Sequence, residues 1–190
     1  MSDEAVTVVP ITRHEAGDLE AFSRAHGRFR WCSCMSWRMP SSDFRHADKE
    51  QRAARLAGLV ADGTPVGVLA YHHGEPVGWC SVAPRDTYEA LNRSRILKPV
   101  DSTAVWSVVC MFIDSKHRGR GVARQLLLGA AEYARSMGAP AIEGYPVEPN
   151  ASYSHMGTAA LFESAGFADI TPPGRSRRVM RRNLAGNGRR

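Results

Sequence analysis

Long hydrophobic segments are missing from this sequence of 190 residues. No uninterrupted apolar run reaches the roughly 18 residues that a transmembrane helix needs. The acidic start, MSDEAVTVVPITRHE, lacks the basic and apolar parts of a secretory signal peptide. Internal repeats and low-complexity linkers are missing as well. These absences predict a cytoplasmic protein without a membrane partner, folded as a single domain over residues 1–184.

Cysteine pairs at the spacing of metal ligands are missing too. Of the four cysteines, only Cys32 and Cys34 are close together, as Cys-x-Cys. Structural zinc sites usually contain closely spaced ligand pairs in both halves. Cys80 and Cys110 lie singly in apolar runs, where a cysteine behaves as a small hydrophobic residue. We therefore predict reduced thiols and no metal. The alternative is a zinc or redox centre built from the four cysteines and the pair His72-His73.

Acidic residues are absent from the end of the chain. Residues 175–190 contain seven arginines and no aspartate or glutamate, and they account for the net charge of +6. Because the rest of the chain is close to neutral, the composition predicts no specific nucleic-acid partner. We expect a solvated strand followed by a basic, disordered tail at residues 185–190; a weak, salt-sensitive attraction to polyanions is the alternative.

Hydrophobic periodicity predicts alternating strands and helices, and hence an α/β fold built in layers. Apolar and β-branched runs predict strands at residues 5–11, 65–72, 76–82, 104–113, 141–147, 167–170 and 177–183. Helical spacing predicts helices at residues 14–27, 41–61, 124–138 and 157–165. The polar residues 84–98 are expected to be irregular or partly helical.

A strand, a glycine-rich turn and a helix follow one another over residues 106–138. At the turn the sequence reads RGRGVA, over residues 118–123. Glycines allow a tight turn whose N–H groups point into one concavity, and the following helix adds unpaired amides and a positive dipole end. Such a turn binds a pyrophosphate, although the Lys-Ser/Thr ending of a P-loop and the spacing of a dinucleotide fingerprint are absent.

This motif resembles the R/Q-x-x-G-x-G/A signature of the GNAT N-acetyltransferase superfamily, with Arg118, Gly121 and Ala123 at the defining positions. The hydrophobic strand before it, the helix with LLLGAAEYA and the later GTAALFESAGF occur in the order typical of that family. The resemblance covers residues 104–183 and the preceding hairpin. It implies a GNAT fold, with a central mixed, mostly antiparallel sheet flanked by helices.

The resemblance also implies an activity, the transfer of an acetyl group from acetyl-CoA to an amine without a metal. The turn amides would hold the CoA pyrophosphate, and the end of the strand would pair with the pantetheine arm. Superfamily members are often dimers, so a homodimer is an open expectation. The implied acetyl-CoA-binding residues are Met111, Phe112, Ile113, Arg118, Gly119, Arg120, Gly121, Val122 and Ala123.

Acetyl transfer requires an uncharged amine, a stabilised oxyanion and a proton for the leaving thiolate. Glu143 is the candidate base because some family members carry a glutamate at a similar point; an outward carboxylate paired with an arginine is the alternative. Phe162 occupies the place of the tyrosine that often acts as the acid, and it cannot donate a proton. Tyr145 follows Glu143 on the same strand face and is our substitute, with Tyr153 and Cys110 as alternatives.

The stretch WCSCMSW concentrates two tryptophans and two cysteines in seven residues. In the superfamily, the segment between the first two helices usually borders the acceptor groove, so Trp31, Cys34 and Trp37 are expected to bind the acceptor; simple core packing is the alternative. Because no acidic cluster is near to bind a polycation, we expect a small amine with an apolar or aromatic body. A protein or peptide amine, and a silent acyl-CoA-binding module, are the other readings.

Overall fold

The computed structural model describes residues 6–32, 34–148 and 154–184, and within these ranges the side chains of Arg28, Arg30, Trp31 and Ser154 are left out of the description. The predicted tail at 185–190, the alternative acid Tyr153 and the side chain of Trp31 therefore lie outside the described residues.

One seven-stranded sheet joins strands from both ends of the chain. All neighbouring strands are antiparallel except β4 and β5, which are parallel. The predicted fold class, with a mixed and mostly antiparallel sheet, is therefore confirmed. In spatial order the strands are β1 (Thr7–Pro10), β2 (Val68–His72), β3 (Glu75–Pro84), β4 (Val105–Ile113), β5 (Ala141–Gly144), β7 (Met180–Asn183) and β6 (Ala168–Asp169).

Helices cover both faces of the sheet because its inner strands are apolar on both sides. On β2, Val68 and Ala70 pack in the core beneath one set of helices, whereas Leu69 between them packs in the core of the other set. The first face carries α6 (Val122–Ser136) and α7 (Ala159–Ser164). The second face carries α1 (Ala16–Ala25), α2 (Gly27–Cys32), α3 (Ser41–His46), α4 (Lys49–Ala61) and α5 (Glu89–Asn92).

The prediction of one helix over residues 41–61 is wrong, because Asp48 starts a new helix. The Asp48 carboxylate accepts from the Gln51 backbone N–H at 2.8 Å, and the Gln51 side chain accepts from the Asp48 N–H at 2.9 Å. This capping box satisfies two amides at the start of α4 and separates it from α3.

Two further expectations concern the segments around β5 and before β4. The predicted strand at 141–147 is too long: pairing ends at Gly144, and Pro146 has no N–H with which to continue a ladder. The partly helical reading of residues 84–98 is confirmed by a 3₁₀ turn at Arg85–Thr87 and by α5. Within the described part of the chain, no helix is long and apolar enough to cross a membrane.

Candidate active site

The parallel strands β4 and β5 separate part of the way along the sheet. Their pairing runs only from Val105 and Ala141 to Val108 and Gly144. β4 continues to Ile113, whereas the chain after Gly144 leaves the sheet. We call the point of separation beyond Val108 and Gly144 the fork. At the fork, β4 presents an edge over residues 109–113 that is not paired with β5, and such an edge can bind an extended ligand through backbone hydrogen bonds.

A bulge in β4 lies at the fork itself. Ser81 pairs with Cys110 and Val82 with Val108, which leaves Val109 as the extra residue. Bulges redirect neighbouring side chains. Val109 and Cys110 consequently both contact the apolar cluster on the second face, and Cys110 is half-buried there.

The glycine turn lies beyond the end of β4. Gly119 and Gly121 have left-handed φ angles of +73° and +79°, and a Cβ at either position would meet nothing within 4 Å. Backbone conformation, and not crowding, therefore favours glycine here. Gly121 is the N-cap of α6, whose first amides lack partners inside the helix. The turn thus combines open backbone N–H groups with a helix dipole, which suits an anion.

The side chains at the end of β4 alternate between the two cores. Met111 packs in the α6 core, and Phe112 contacts Phe22 at 5.9 Å between ring centroids. Ile113 lies partly buried on the side of Met111 and accepts from the Arg118 Nε–H at 3.4 Å. Because packing engages the side chains of Met111 and Phe112, contact with a ligand along this edge would involve their backbone groups.

Glu143 on β5 and Tyr145, the first residue after this strand, have hydrogen-bonded side chains, and each residue is only 1% exposed. The Tyr145 hydroxyl donates to Glu143 Oε2 at 3.1 Å and lies 2.8 Å from Ser107 Oγ. It also accepts from Arg85 Nη1 at 2.6 Å. Burial, and next the charge of Glu143, raise the pKa of Tyr145. Its phenol is therefore protonated at neutral pH and is able to donate.

Arg181 on β7 pairs with Glu143 through two hydrogen bonds. Its Nε and Nη2 donate to Glu143 Oε1 at 2.9 Å and 2.6 Å. The same guanidinium donates to both carboxylate oxygens of Asp101, at 2.6 Å and 3.1 Å, and holds the pKa of Asp101 below its usual range. The arginine partner that the sequence allowed is present, but the Glu143 carboxylate is buried and does not face outward.

Arg85 completes this network and was not singled out from the sequence. Its Nη2 donates to the Leu97 and Leu91 carbonyls at 2.5 Å and 3.5 Å, and the side chain is buried. Asp101 and Arg181 were missed as well. Arg181 stands directly opposite Glu143 in the β5–β7 register, a signal that exists only once that register is known.

Phe162 fills the place of the family's tyrosine with a fully buried ring. The ring lies close against the backbone of Gly144, since a Cβ there would fall 2.0 Å from Phe162 Cε1. It also meets Phe167 edge-on at 5.1 Å. Among the described residues, this side of the fork is lined by apolar groups of the α6 core.

The stretch WCSCMSW divides between the core and the surroundings of the fork. Cys34 is buried, adopts a φ of +51°, and its Sγ accepts from the Trp79 indole N–H at 3.0 Å. Burial raises the pKa of the Cys34 thiol well above its usual value. Trp37 is half-buried and packs with the cluster that contains Val109 and Tyr145. Trp37 therefore packs against the same cluster as Val109 and Tyr145, whereas Cys34 belongs to the core beneath the helices of the second face.

All four cysteines are free thiols. Within residues 6–32, 34–148 and 154–184, no group of three or more His, Cys, Asp or Glu side chains is arranged to hold a metal ion.

Known proteins resemble this chain in sequence pattern and in fold. The family described as the acetyltransferase (GNAT) family matches residues 31–167. Among solved structures, yncA from Salmonella typhimurium, with its cofactor acetyl-CoA, has a TM-score of 0.57 at 17% identity and covers 98% of each chain. No curated protein matches the sequence.

Two further structures share the fold. The ribosomal-protein-alanine N-acetyltransferase from Brucella melitensis has a TM-score of 0.55 at 21% identity, over 94% of this chain and 99% of that one. The phosphinothricin acetyltransferase from Sinorhizobium meliloti, in complex with acetyl-CoA, has a TM-score of 0.56 at 16% identity, over 94% and 88%.

Proposed function

Because the chain belongs to the GNAT acetyltransferase family, and is therefore an acetyl-CoA-dependent acyltransferase, we propose that it acetylates the primary amine of a small molecule with an apolar or aromatic body. The observation that carries this proposal is the fork, which has a glycine turn beyond its open end and Trp37 and Cys110 on one face. The silent acyl-CoA-binding reading is set aside because the family is one of enzymes.

The donor-binding residues that we propose are those of the β4 edge and the turn. Acetyl-CoA supplies the acetyl group as an activated thioester. The open backbone around Gly119 and Gly121 fits a diphosphate, because no side chain occupies the space where their Cβ atoms would be. The proposed set is Met111, Phe112, Ile113, Arg118, Gly119, Arg120, Gly121, Val122 and Ala123.

Tyr145 and Glu143 are proposed to act as one proton-accepting unit. Tyr145 is the first residue beyond the fork, and its hydroxyl donates to Glu143 Oε2 at 3.1 Å. Its oxygen can accept a proton from the amine while its own proton passes to the carboxylate, which is the shared general-base role that acetyl transfer needs. This role differs from the acid role that the sequence predicts for Tyr145; in the proposal the leaving thiolate is protonated by solvent instead.

The acceptor is proposed to bind on the face of Trp37. That indole is half-buried against the cluster that contains Val109 and Tyr145, and it offers a flat apolar surface. Cys34, whose Sγ accepts from the Trp79 indole N–H, and Trp31 are retained in the proposal from their place in the sequence. The carboxylate that Glu143 could offer an amine is already paired with Arg181, which disfavours a polycationic acceptor. A cytoplasmic location and a homodimer remain expectations from the sequence alone.

The proposal is tested by release of CoA thiol from acetyl-CoA with a panel of amines. The panel contains phenylethylamine, tryptamine, spermidine, an aminoglycoside and peptides with a free N-terminus or lysine. Because the protein has four free thiols of its own, the mass of the acetylated amine must accompany the thiol signal. We expect turnover with the aromatic amines; turnover confined to peptides or to the polycations would contradict the acceptor class.

A further inference from the structure

A cavity away from the fork reaches the buried carboxylate of Glu143. A cavity of about 260 Å³ lies at the start of β4, at the opposite end of the β4–β5 pairing from the fork. Its rim is open to solvent, since the side chain of Asp101 is 44% exposed. Six of the residues that line it are Arg85, Asp101, Thr103, Val105, Glu143 and Arg181.

The two carboxylate oxygens of Glu143 have separate partners. Oε1 accepts from Arg181, which Asp101 holds from its other side, and Oε2 accepts from Tyr145. Glu143 thus connects the buried Tyr145 hydroxyl, which also lies against Ser107 and Arg85, with a cavity beside the solvent. The charged groups that face the Glu143–Tyr145 pair are Arg85 from the turn after β3, Asp101 from the loop before β4, and Arg177 and Arg181 from the last strand and its approach.

Arg85 provides an independent sign that the cavity is polar and hydrated. It lines the cavity and is only 8% exposed, yet its Nε–H has no acceptor among the described residues. Buried donors of this kind are nearly always paired, often with an ordered water. A volume of about 260 Å³ is ample for several waters, since one water occupies roughly 30 Å³ in the liquid.

We propose that this cavity is the proton outlet of the acetyl transfer, in which Glu143 releases to water the proton that it receives through Tyr145, and that Arg181 and Asp101 are positioning residues acting through Glu143. This inference rests on the proposed function. In the reaction the amine nitrogen forms a bond to the acyl carbon, and the carbon–sulfur bond breaks with its electron pair on sulfur. The nitrogen's proton passes to Tyr145 as the Tyr145 proton passes to Glu143 and then to water, so no further reactant is required.

Chemical rescue tests the outlet directly. Glu143→Ala is expected to lower kcat by roughly 10²- to 10⁴-fold, the usual range for loss of a general base. The change also enlarges the cavity beside Arg181, so added acetate should restore part of the rate. Fluoroacetate, close in size but less basic, should restore less, because proton transfer depends on basicity. The wild type and Glu163→Ala, an exposed change on α7, should not respond to either anion.

The outcome also separates a proton path from simple filling of space. Equal rescue by both anions, or no rescue of a folded Glu143→Ala protein that still binds acetyl-CoA, would overturn the outlet. A wild type that acetylates no small amine but turns over a peptide would instead overturn the proposed acceptor, and the rescue would then be measured with that peptide.

The positioning roles are tested by pH profiles of kcat, which remain readable if Glu143→Ala fails to fold. Removing the cation in Arg181→Gln should move the acid limb of the profile to higher pH, because an adjacent opposite charge favours an ionised carboxylate. Asp101→Asn should move the acid limb to lower pH, since the negative charge of Asp101 is lost and Arg181 then forms an ion pair with Glu143 alone. Both variants should keep the acetyl-CoA KM of the wild type. If they lose activity but their acid limbs do not move in opposite directions, Arg181 and Asp101 have only structural roles, and their assignment as positioning residues is refuted.

Discussion

Replacing Gly144 by alanine tests how the sheet and the Phe162 ring fit together at the fork. A Cβ on Gly144 would lie 2.0 Å, 2.3 Å and 2.9 Å from three atoms of the Phe162 ring. Carbon atoms in contact are normally about 3.5–4.0 Å apart, so the ring or the strand would have to move by roughly 1.5 Å. Phe162 is fully buried and has Phe167 at its edge, which leaves the ring little room to move.

We expect Gly144→Ala to lower the free energy of unfolding by about 1–3 kcal/mol or slightly more, as overpacking of a core does. The change is measured by denaturant unfolding, as a shift of the midpoint concentration at an unchanged dependence of the unfolding free energy on denaturant. Phe162→Leu in the same protein should relieve the clash. The double variant should therefore be more stable than the sum of the single changes predicts, with a coupling of about 0.5–3 kcal/mol.

Gly58→Ala on α4 is the matched control. A Cβ at Gly58 would meet nothing within 4 Å, so this change should stabilise the protein by about 0.5–1 kcal/mol through helix propensity. A Gly144→Ala protein with an unchanged or higher midpoint, or strictly additive single changes, would refute the packing argument.

Three further outcomes are expected. Gly121→Ala forces a left-handed φ of +79° on a residue with a Cβ, a conformation that costs about 1–2 kcal/mol; it should raise the KM for acetyl-CoA and leave that of the amine unchanged. Trp37→Ala should raise the KM of the amine and not that of acetyl-CoA, and unchanged amine kinetics would refute its place beside the acceptor. The pKa of Asp101 is lowered in the folded protein. The ionised carboxylate therefore stabilises the fold above the ordinary pKa of an aspartate, and this stabilisation is lost as the pH falls from there through the lowered pKa. The urea midpoints of the wild type and Asp101→Asn should therefore converge in acid.

Local signals made the donor half of the site predictable. The central strand is an unbroken apolar run, the turn contains glycines at both left-handed positions, and α6 follows at once. Each of these features depends on residues that are adjacent in the chain. The fold class was predictable for the same reason, because the hydrophobic pattern of each strand and helix is visible within a short stretch of sequence.

The proton-handling half depends on contacts between distant residues. Glu143 and Arg181 are 38 residues apart, and only the β5–β7 register brings them together. Arg85 reaches Tyr145 across 60 residues from a polar segment whose sequence has no distinctive pattern. A sequence contains candidate residues for such a network, but their pairing follows from strand order, which periodicity does not encode.

The approach that we propose for the amine depends on the alternation of side chains along β5 and the residue after it. Ile142 and Gly144 face the core beneath α6 and α7, where Phe162 covers the fork with an apolar ring. Glu143 and Tyr145 face the other way, and Tyr145 belongs to the cluster against which Trp37 packs. A phenylalanine at the family's tyrosine position removes a hydroxyl from the first face, whereas the second face holds a hydroxyl bonded to a buried carboxylate. If the proton leaves through Tyr145, the amine must lie on the Trp37 face, so the departure at Phe162 and the acceptor placement at Trp37 have one structural cause.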